Sequence, residues 1–266
     1  MIVVERSGLL TTVQDHGRRG LARYGVPPSG AADPRALAAG NALVGNPPDA
    51  AALETTVLGP VLRFTEPALV AVTGAVTLPP REVALLEFGP FTRGARAYVC
   101  VRGGIDVAPA LGSRSTDLLT GLGPPPLRDG DELCIGPEPD TQPTEVEPPR
   151  LPDELVLRVV PGPRDDWFES VEPLFAQPWR VSASSNRVGV RLEGPPLVRR
   201  VEGELLSEGV VTGAIQVPPS GPILLLNDHP TTGGYPVAAV VVHDDLWLAG
   251  QLAPGASVRF AIASLA

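Results

Sequence analysis

Short apolar runs recur along the chain between turns rich in glycine and proline. In the first half they fall at 57–64, 68–73, 83–88, 96–101 and 132–135, and in the second at 155–160, 180–182, 188–192, 223–226, 237–242 and 257–262. Gly (29) and Pro (32) together make up nearly a quarter of the residues, so the runs are short and frequently broken. Strand-like runs at roughly 8–12-residue spacing with turn signals between them predict a mainly β protein built as barrels or sandwiches. Arg128-Asp129-Gly130-Asp131, just before one run, is a turn of the Asp-Gly kind. Few helices are expected, and they are short. One is well marked: Asp33 is placed to cap it, Pro34 suits its first position, Ala36 to Val44 supply helix formers and Gly45 ends it. Gly40 in its middle costs about 1 kcal/mol relative to Ala, which suggests a close packing contact. A second, shorter helix is expected from Asp165, with Phe168, Val171 and Phe175 on one face and an interruption at Pro173.

Residues 137–153 hold six prolines and five acidic residues. Such a segment has little to bury and favours an extended form, which reads as a linker. The expected organisation is therefore an N-terminal β-rich domain over 1–140 and a C-terminal β-barrel domain over 151–266, with a few N-terminal residues crossing to the second.

Hydrophobic residues make up 43% and charged residues 19% of the 266 positions, as in a globular protein. The net charge of −9 excludes a nucleic-acid partner of the usual kind, whose phosphates need a basic stripe. All 21 basic residues are Arg. Without Lys the chain has no phosphate loop of the GKS/T kind, no Schiff-base amine and no attachment point for biotin. Cys100 and Cys134 sit in apolar runs and are expected reduced and buried, and neither has a Cys or His neighbour at ligand spacing, so no metal site is expected. No run approaches the ~20 residues of a membrane span, and with no secretory signal at the N-terminus a soluble, cytoplasmic chain is expected.

The densest chemistry lies in 207–236. There Asp228, His229, Thr231, Thr232 and Tyr235 surround the bare backbone of Gly233-Gly234. Glycine pairs admit a ligand close to main-chain N–H groups, and a concave site needs only a few such convergent polar groups. The same stretch holds Val-Pro-Pro-Ser-Gly at 217–221, which also occurs at 26–30.

These segments resemble the allophanate hydrolase subunit 2 family, also described as carboxyltransferase subdomain A and B, whose bacterial members are mostly known as the C subunit of 5-oxoprolinase. The resemblance is carried, in order, by Gly8 to Arg18, Gly25 to Ala31, Asn41 to Asn46 leading to Leu53-Glu54, and Gly103-Gly104-Ile105 with Leu111 to Thr116. It continues through Ser185 to Leu192, the 207–236 stretch, Asp245-Leu246 and Gln251 to Gly255. Val188 stands where Met is usual, and His243-Asp244 where small residues are commoner. The resemblance implies a cyclophilin-like barrel in the second half and a homologous partner subunit. It also implies one of three roles: ATP-dependent opening of 5-oxoproline to glutamate beside a lactam-hydrolase subunit, the carboxyltransferase part of a biotin-dependent urea carboxylase, or non-enzymatic antagonism of a kinase inhibitor. ATP is then used by the complex, and in the second role biotin sits on a partner.

The chemistry common to the enzymatic roles is polarisation of an amide-like carbonyl in a lactam or urea, which calls for donors aimed at the oxygen and an acceptor for an N–H. Asp228, His229, Thr231 and Thr232 are the catalytic candidates. Gln216, Ser220, Gly233, Gly234 and Tyr235 are candidates for holding the substrate. Ser113 and Arg114 form a possible clamp for carboxylate or phosphate, Ser29 lies ahead of a helix N-terminus, and Asn186 and Arg187 either hold substrate or partner or brace the barrel. For each, an ordinary turn or salt bridge is the competing reading. Gln14 to Arg18 reads as a domain-locking network, and Trp167, Trp179 and Trp247 as core or interface aromatics.

Overall fold

The computed structural model describes residues 1–264, which are mainly β and form two compact units. The first comprises Met1–Arg19 and Pro28–Arg150; the second comprises Gly20–Pro27 and the chain from Leu151 onward.

The first unit is one antiparallel sheet of β1 (Ile2–Arg6), β2 (Thr11–Gln14), β3 (Ala52–Thr56), β4 (Val61–Gly74), β5 (Leu78–Glu87), β6 (Arg96–Val101), β7 (Ile105–Asp106) and β8 (Glu132–Ile135). Its order is β2-β3-β6-β4-β1-β8-β7, with β5 on the other edge of β4. Strand β6 is buried along its whole length, and the twofold alternation of side chains explains why. Ala97, Val99 and Val101 join one core with Leu53, Leu62 and Val72, whereas Tyr98 and Cys100 join another with Leu37 and Ala71. The helix α1 (Pro34–Leu43) covers this second face. Asp33 caps it as expected, accepting from the Ala36 N–H at 2.9 Å. A Cβ on Gly40 would stand 2.6 Å from the Cys100 sulfur and 2.9 Å from the Thr73 hydroxyl, so the glycine is the contact between helix and sheet.

Three local expectations change. The runs at 57–64 and 68–73 belong to the single strand β4, whose register breaks between Arg63 and Ala68 where Pro67 removes a donor. Val57 lies outside it with φ of 63°. Cys134 is exposed rather than buried, because it points outward between Leu133 and Ile135, while Cys100 is buried and its thiol is pushed up by desolvation. Residues 137–150 form no regular element and are tied to the first unit. Arg102 pairs with Glu138 at 2.7 Å and donates to the carbonyls of Pro139 and Thr141, and the Thr144 N–H donates to the Ala42 carbonyl.

The second unit closes as a seven-stranded barrel. Its strands are β9 (Leu155–Pro161), β10 (Trp179–Val181), β11 (Gly189–Glu193), β13 (Ala214–Gln216), β14 (Ile223–Leu225), β16 (Val237–Val241) and β17 (Ser257–Ile262), in the order β10-β11-β14-β13-β16-β9-β17. The parallel pairing of β17 with β9 completes it. Between them lie the short strands β12 (Glu208–Gly209) and β15 (Thr232–Gly233), which form a separate two-stranded ribbon. The interior is filled by Leu157, Val159, Trp179, Val190, Ile215, Leu224 and Phe260. Trp179 is fully buried with its indole N–H on the Leu174 carbonyl at 3.0 Å, and Trp167 and Trp247 pack against the same core. The expected helix from Asp165 is instead a 3-10 turn at Asp165–Trp167 followed by a separate turn, α2 (Pro173–Ala176). Pro173 opens that helix rather than interrupting one, as its fixed φ and missing donor suit the first turn. A last short helix, α3 (Leu246–Ala249), packs on β9.

The Gly40 contact is directly testable. In an exposed helix Gly→Ala stabilises, but here overpacking against Cys100 and Thr73 dominates. Gly40→Ala is expected to lower stability by about 1–3 kcal/mol in urea titrations, and Gly40→Ala with Cys100→Ala to recover most of it.

Candidate functional site

Strand β13 lies between β14 and β16 in the barrel, so the chain leaving β14 must cross the face of β13 to begin β16. Residues 227–236 make that crossing. At its start the Leu226 N–H bonds to the Val188 carbonyl at 3.0 Å; at its end Val237 pairs with Gln216. Ile215 points into the barrel core, and its neighbours Ala214 and Gln216 face the other way, toward the crossing. Val210, Ala214, Leu225 and Val237 form a small apolar cluster on that outer face. The β12–β15 ribbon is the crossing's own hydrogen-bonded reinforcement, continued by the Val210 N–H on the Thr231 carbonyl.

The start of the crossing is held by an ion pair. Arg187 Nε and Nη2 donate to Asp228 Oδ2 and Oδ1 at 3.0 and 3.1 Å, and the Asp228 N–H returns to the Arg187 carbonyl. The side chains are 1% and 0% exposed, so the pair is removed from water. The sequence marked both residues, and the structure joins them across 41 positions. It also corrects the role given to Asp228. With both oxygens on one guanidinium, the carboxylate is a brace rather than an open acceptor or base.

His229, next in the chain, is buried, and its Nδ1 lies 2.7 Å from the Pro230 carbonyl. A carbonyl only accepts, so Nδ1 carries the proton and Nε2 is left with the lone pair. Burial lowers the imidazole pKa, against smaller opposing effects of the Pro230 carbonyl and Asp228. The histidine is thus neutral at neutral pH and has one nitrogen able to accept a proton.

The end of the crossing gathers a second group. Gln216 Nε2 donates to the Tyr235 carbonyl at 3.2 Å, and a Cβ on Gly233 would lie 2.5 Å from the same nitrogen. The bare backbone at Gly233 is therefore needed to let the ribbon lie on Gln216. Gly234 is less constrained, its nearest neighbour being the Leu205 carbonyl at 3.2 Å from a built Cβ. Thr231 and Thr232 contribute backbone pairing, and the side chains of Thr232 and Tyr235 are exposed. The two groups stand toward opposite ends of β13, since Leu225 leaves β14 beside Gly213 whereas Val237 enters β16 beside Gln216.

Sequence reasoning missed one participant. Arg164 Nη2 pairs with Glu208 Oε2 at 2.6 Å, which fixes β12, and the Arg164 N–H bonds to the Val237 carbonyl. Arg164 Nε and Glu208 Oε1 are buried with no hydrogen-bond partner among the described residues. Nothing local announces this pair, because Glu208 is 44 positions away.

Other candidates are placed apart. Ser220 lies exposed in the β13–β14 turn, and Asn186 spends its side-chain oxygen on the N–H groups of Val188 and Gly189. In the first unit the 112–116 loop does bind a carboxylate, but the chain's own. Ser113 and Ser115 hydroxyls donate to Asp15 Oδ1 at 2.6 and 2.5 Å, and the Arg114 N–H donates to Oδ2 at 2.6 Å. Ser113 is therefore occupied, and the clamp reading holds for neither its hydroxyl nor the loop's backbone. Only the Arg114 side chain, 3.7 Å from Asp106, faces outward. Ser29 is buried with φ of 52°, in a loop held against Asp15 and Arg18 by the Ala31 N–H on the Asp15 carbonyl and the Arg18 N–H on the Pro28 carbonyl. Among the described residues no group of three His, Cys, Asp or Glu is placed to hold a metal, and no helix is long and apolar enough to cross a membrane.

Comparison with known proteins follows the same lines. The family model for the carboxyltransferase domain, subdomain A and B, matches residues 24–262. The 5-oxoprolinase C subunit of Escherichia coli (strain K12) is 38% identical, the alignment taking in 100% of this chain and 92% of that protein. The urea amidolyase of Lachancea kluyveri is 36% identical over 97% of this chain, which accounts for only 16% of that longer protein. The crystal structure of the K. lactis urea amidolyase superposes with a TM-score of 0.92 at 33% identity, over 99% of this chain and 19% of that one. The mainly β fold, the ordered motifs and this full-length match agree: the chain belongs to the carboxyltransferase domain, subdomain A and B, family.

Proposed function

We propose that the chain is a subunit of an ATP-dependent 5-oxoprolinase that opens 5-oxoproline to L-glutamate, acting with a homologous B-type subunit and a lactam-hydrolase subunit and inactive without them. One observation carries the reading: the match to the 5-oxoprolinase C subunit runs the whole length of this chain and 92% of that relative. The absence of Lys, and so of a phosphate loop of the GKS/T kind, supports dependence on partners. In this reading the crossing over β13 presents the groups that act on the lactam. The backbone at Gly233-Gly234, held in place by Gln216, supplies donors toward the carbonyl, His229 Nε2 accepts a proton, and the Arg187–Asp228 pair positions His229. A second reading, a carboxyltransferase subunit of a biotin-dependent urea carboxylase, is favoured by the TM-score of 0.92 to the K. lactis urea amidolyase.

Reconstitution separates the readings. The chain, its partner subunits, ATP and 5-oxoproline together are expected to yield glutamate, with none formed when the chain is left out. Undiminished glutamate without it refutes the proposal. Carboxylation of urea by the chain with a biotinylated carrier, in place of lactam opening, establishes the second reading.

The brace and the base predict different phenotypes. Asp228→Ala removes the carboxylate that faces a buried guanidinium and is expected to lower stability by about 3–5 kcal/mol, read by chemical denaturation, whereas Arg187→Met combined with Asp228→Leu recovers most of it. His229→Gln is expected to leave the melting temperature near that of the parent while lowering turnover of the complex at least tenfold, about 1.4 kcal/mol of barrier.

The pH dependence follows from the lowered pKa of His229. The unfolded state takes up a proton near pH 6.5 and the folded state only below that. The stability contribution is therefore complete above about pH 6.5 and lost as pH falls through that value toward the folded pKa. Denaturation at successive pH values should show this loss in the parent and a flatter profile in His229→Gln. The acid limb of activity should have its midpoint below about 6.5.

A further inference from the structure

In the first unit a groove of about 380 Å³ is lined by Asn46, Gly103, Gly104, Asp106, Arg114 and Glu138, among others. That volume lies at the small end of ligand pockets and suits a molecule of a few heavy atoms with water around it. Most of its polar groups are already committed. The Asn46 amide donates to the Val101 carbonyl and accepts from the Gly103 N–H, and Glu138 is paired with Arg102 at 2.7 Å. Arg114 and Asp106 are different. Their closest approach is 3.7 Å, too long for a hydrogen bond, and both side chains are about half exposed. Such a pair is weak, and separating it to admit a ligand costs little.

Both charges nevertheless stand on rigid supports. The Arg114 backbone is pinned to buried Asp15, with the hydroxyls of Ser113 and Ser115 on the same carboxylate. Asp106 ends β7, in register with Cys134 of β8. The groove thus presents a guanidinium and a carboxylate on anchored backbone, with exposed Asp49 as a further negative charge on its wall. A simple anion drawn to Arg114 is repelled by Asp106 and Asp49, and a simple cation drawn to those carboxylates leaves Arg114 unmatched. A molecule with a carboxylate and an ammonium a few ångströms apart satisfies both.

We infer that this groove binds a small zwitterion, a free α-amino acid, with its carboxylate on Arg114 and its ammonium on Asp106. The planar fork of Arg matches a carboxylate through two parallel bonds, which the present 3.7 Å contact with Asp106 does not use. Such binding is independent of lactam opening, because it needs only the full chain, without ATP or partner subunits.

The test is titration of the full chain, followed by calorimetry and by amide NMR, with glycine and L-glutamate and with the half-ligands acetate and methylammonium. The amino acids are expected to bind at least about tenfold tighter than either half-ligand, with shifts centred on Gly103, Gly104 and Asp106. Arg114→Met and Asp106→Asn should each weaken that binding at least about tenfold. Both keep the backbone contacts described above, and unchanged melting temperatures would verify that they fold. Acetate binding as tightly as the amino acids, no amino-acid binding, or binding that survives both substitutions overturns the inference.

Discussion

A carboxylate taken out of water must be met by donors, and this requirement organises both units. Desolvating an ion costs several kcal/mol, and only close, well-directed partners offset that. Asp228 is fully buried and meets Arg187; Asp15 is nearly so and gathers two hydroxyls, the Gly17 N–H and the Arg114 N–H. In the barrel this demand fixes where the chain starts to cross β13, and so where His229 stands. In the first unit it fixes the 112–116 loop, and so the base from which Arg114 projects. Remove either carboxylate and the loops around it lose the reason for their shape.

The crossing itself is a consequence of topology. Because β13 separates β14 from β16, about ten residues must run outside the barrel, and Gly233 allows them to lie on Gln216. Polar groups therefore collect on an outer face rather than inside the barrel, whose interior is apolar. Relatives named for 5-oxoprolinase and for urea amidolyase share this chain's family at similar identity, 38% and 36%. Backbone architecture is thus common to both, and what distinguishes their chemistry must lie in side chains and partners.

Much of the fold is legible in the sequence because its signals are local. The helix over 34–43 follows from Asp33, Pro34 and Gly45, and the strands at 96–101, 132–135 and 257–262 follow from apolar runs bounded by turns. The N-terminal strands β1 and β2 do not stand out, since each is short and one carries Glu5 and Arg6. The candidate site is legible only as composition. The residues of 227–236 are visible, but the division between a braced start and a Gln216-centred end depends on strand order, which periodicity does not encode. Ser113 looks like a free hydroxyl because its partner Asp15 is 98 positions away, and Arg164–Glu208 is invisible for the same reason. Cys134 misleads through its apolar neighbours, while its outward direction comes from register.

The central claim is that the crossing over β13 is the surface on which this chain meets substrate in the assembled enzyme. Hydrogen exchange of the full chain, alone and then with its partner subunits, ATP and 5-oxoproline, tests it most directly. The account predicts that added protection centres on residues 228–235 and on Gln216, and deepens when 5-oxoproline joins the assembled subunits. Protection confined to other strands, with 227–236 exchanging as in the isolated chain, would contradict it.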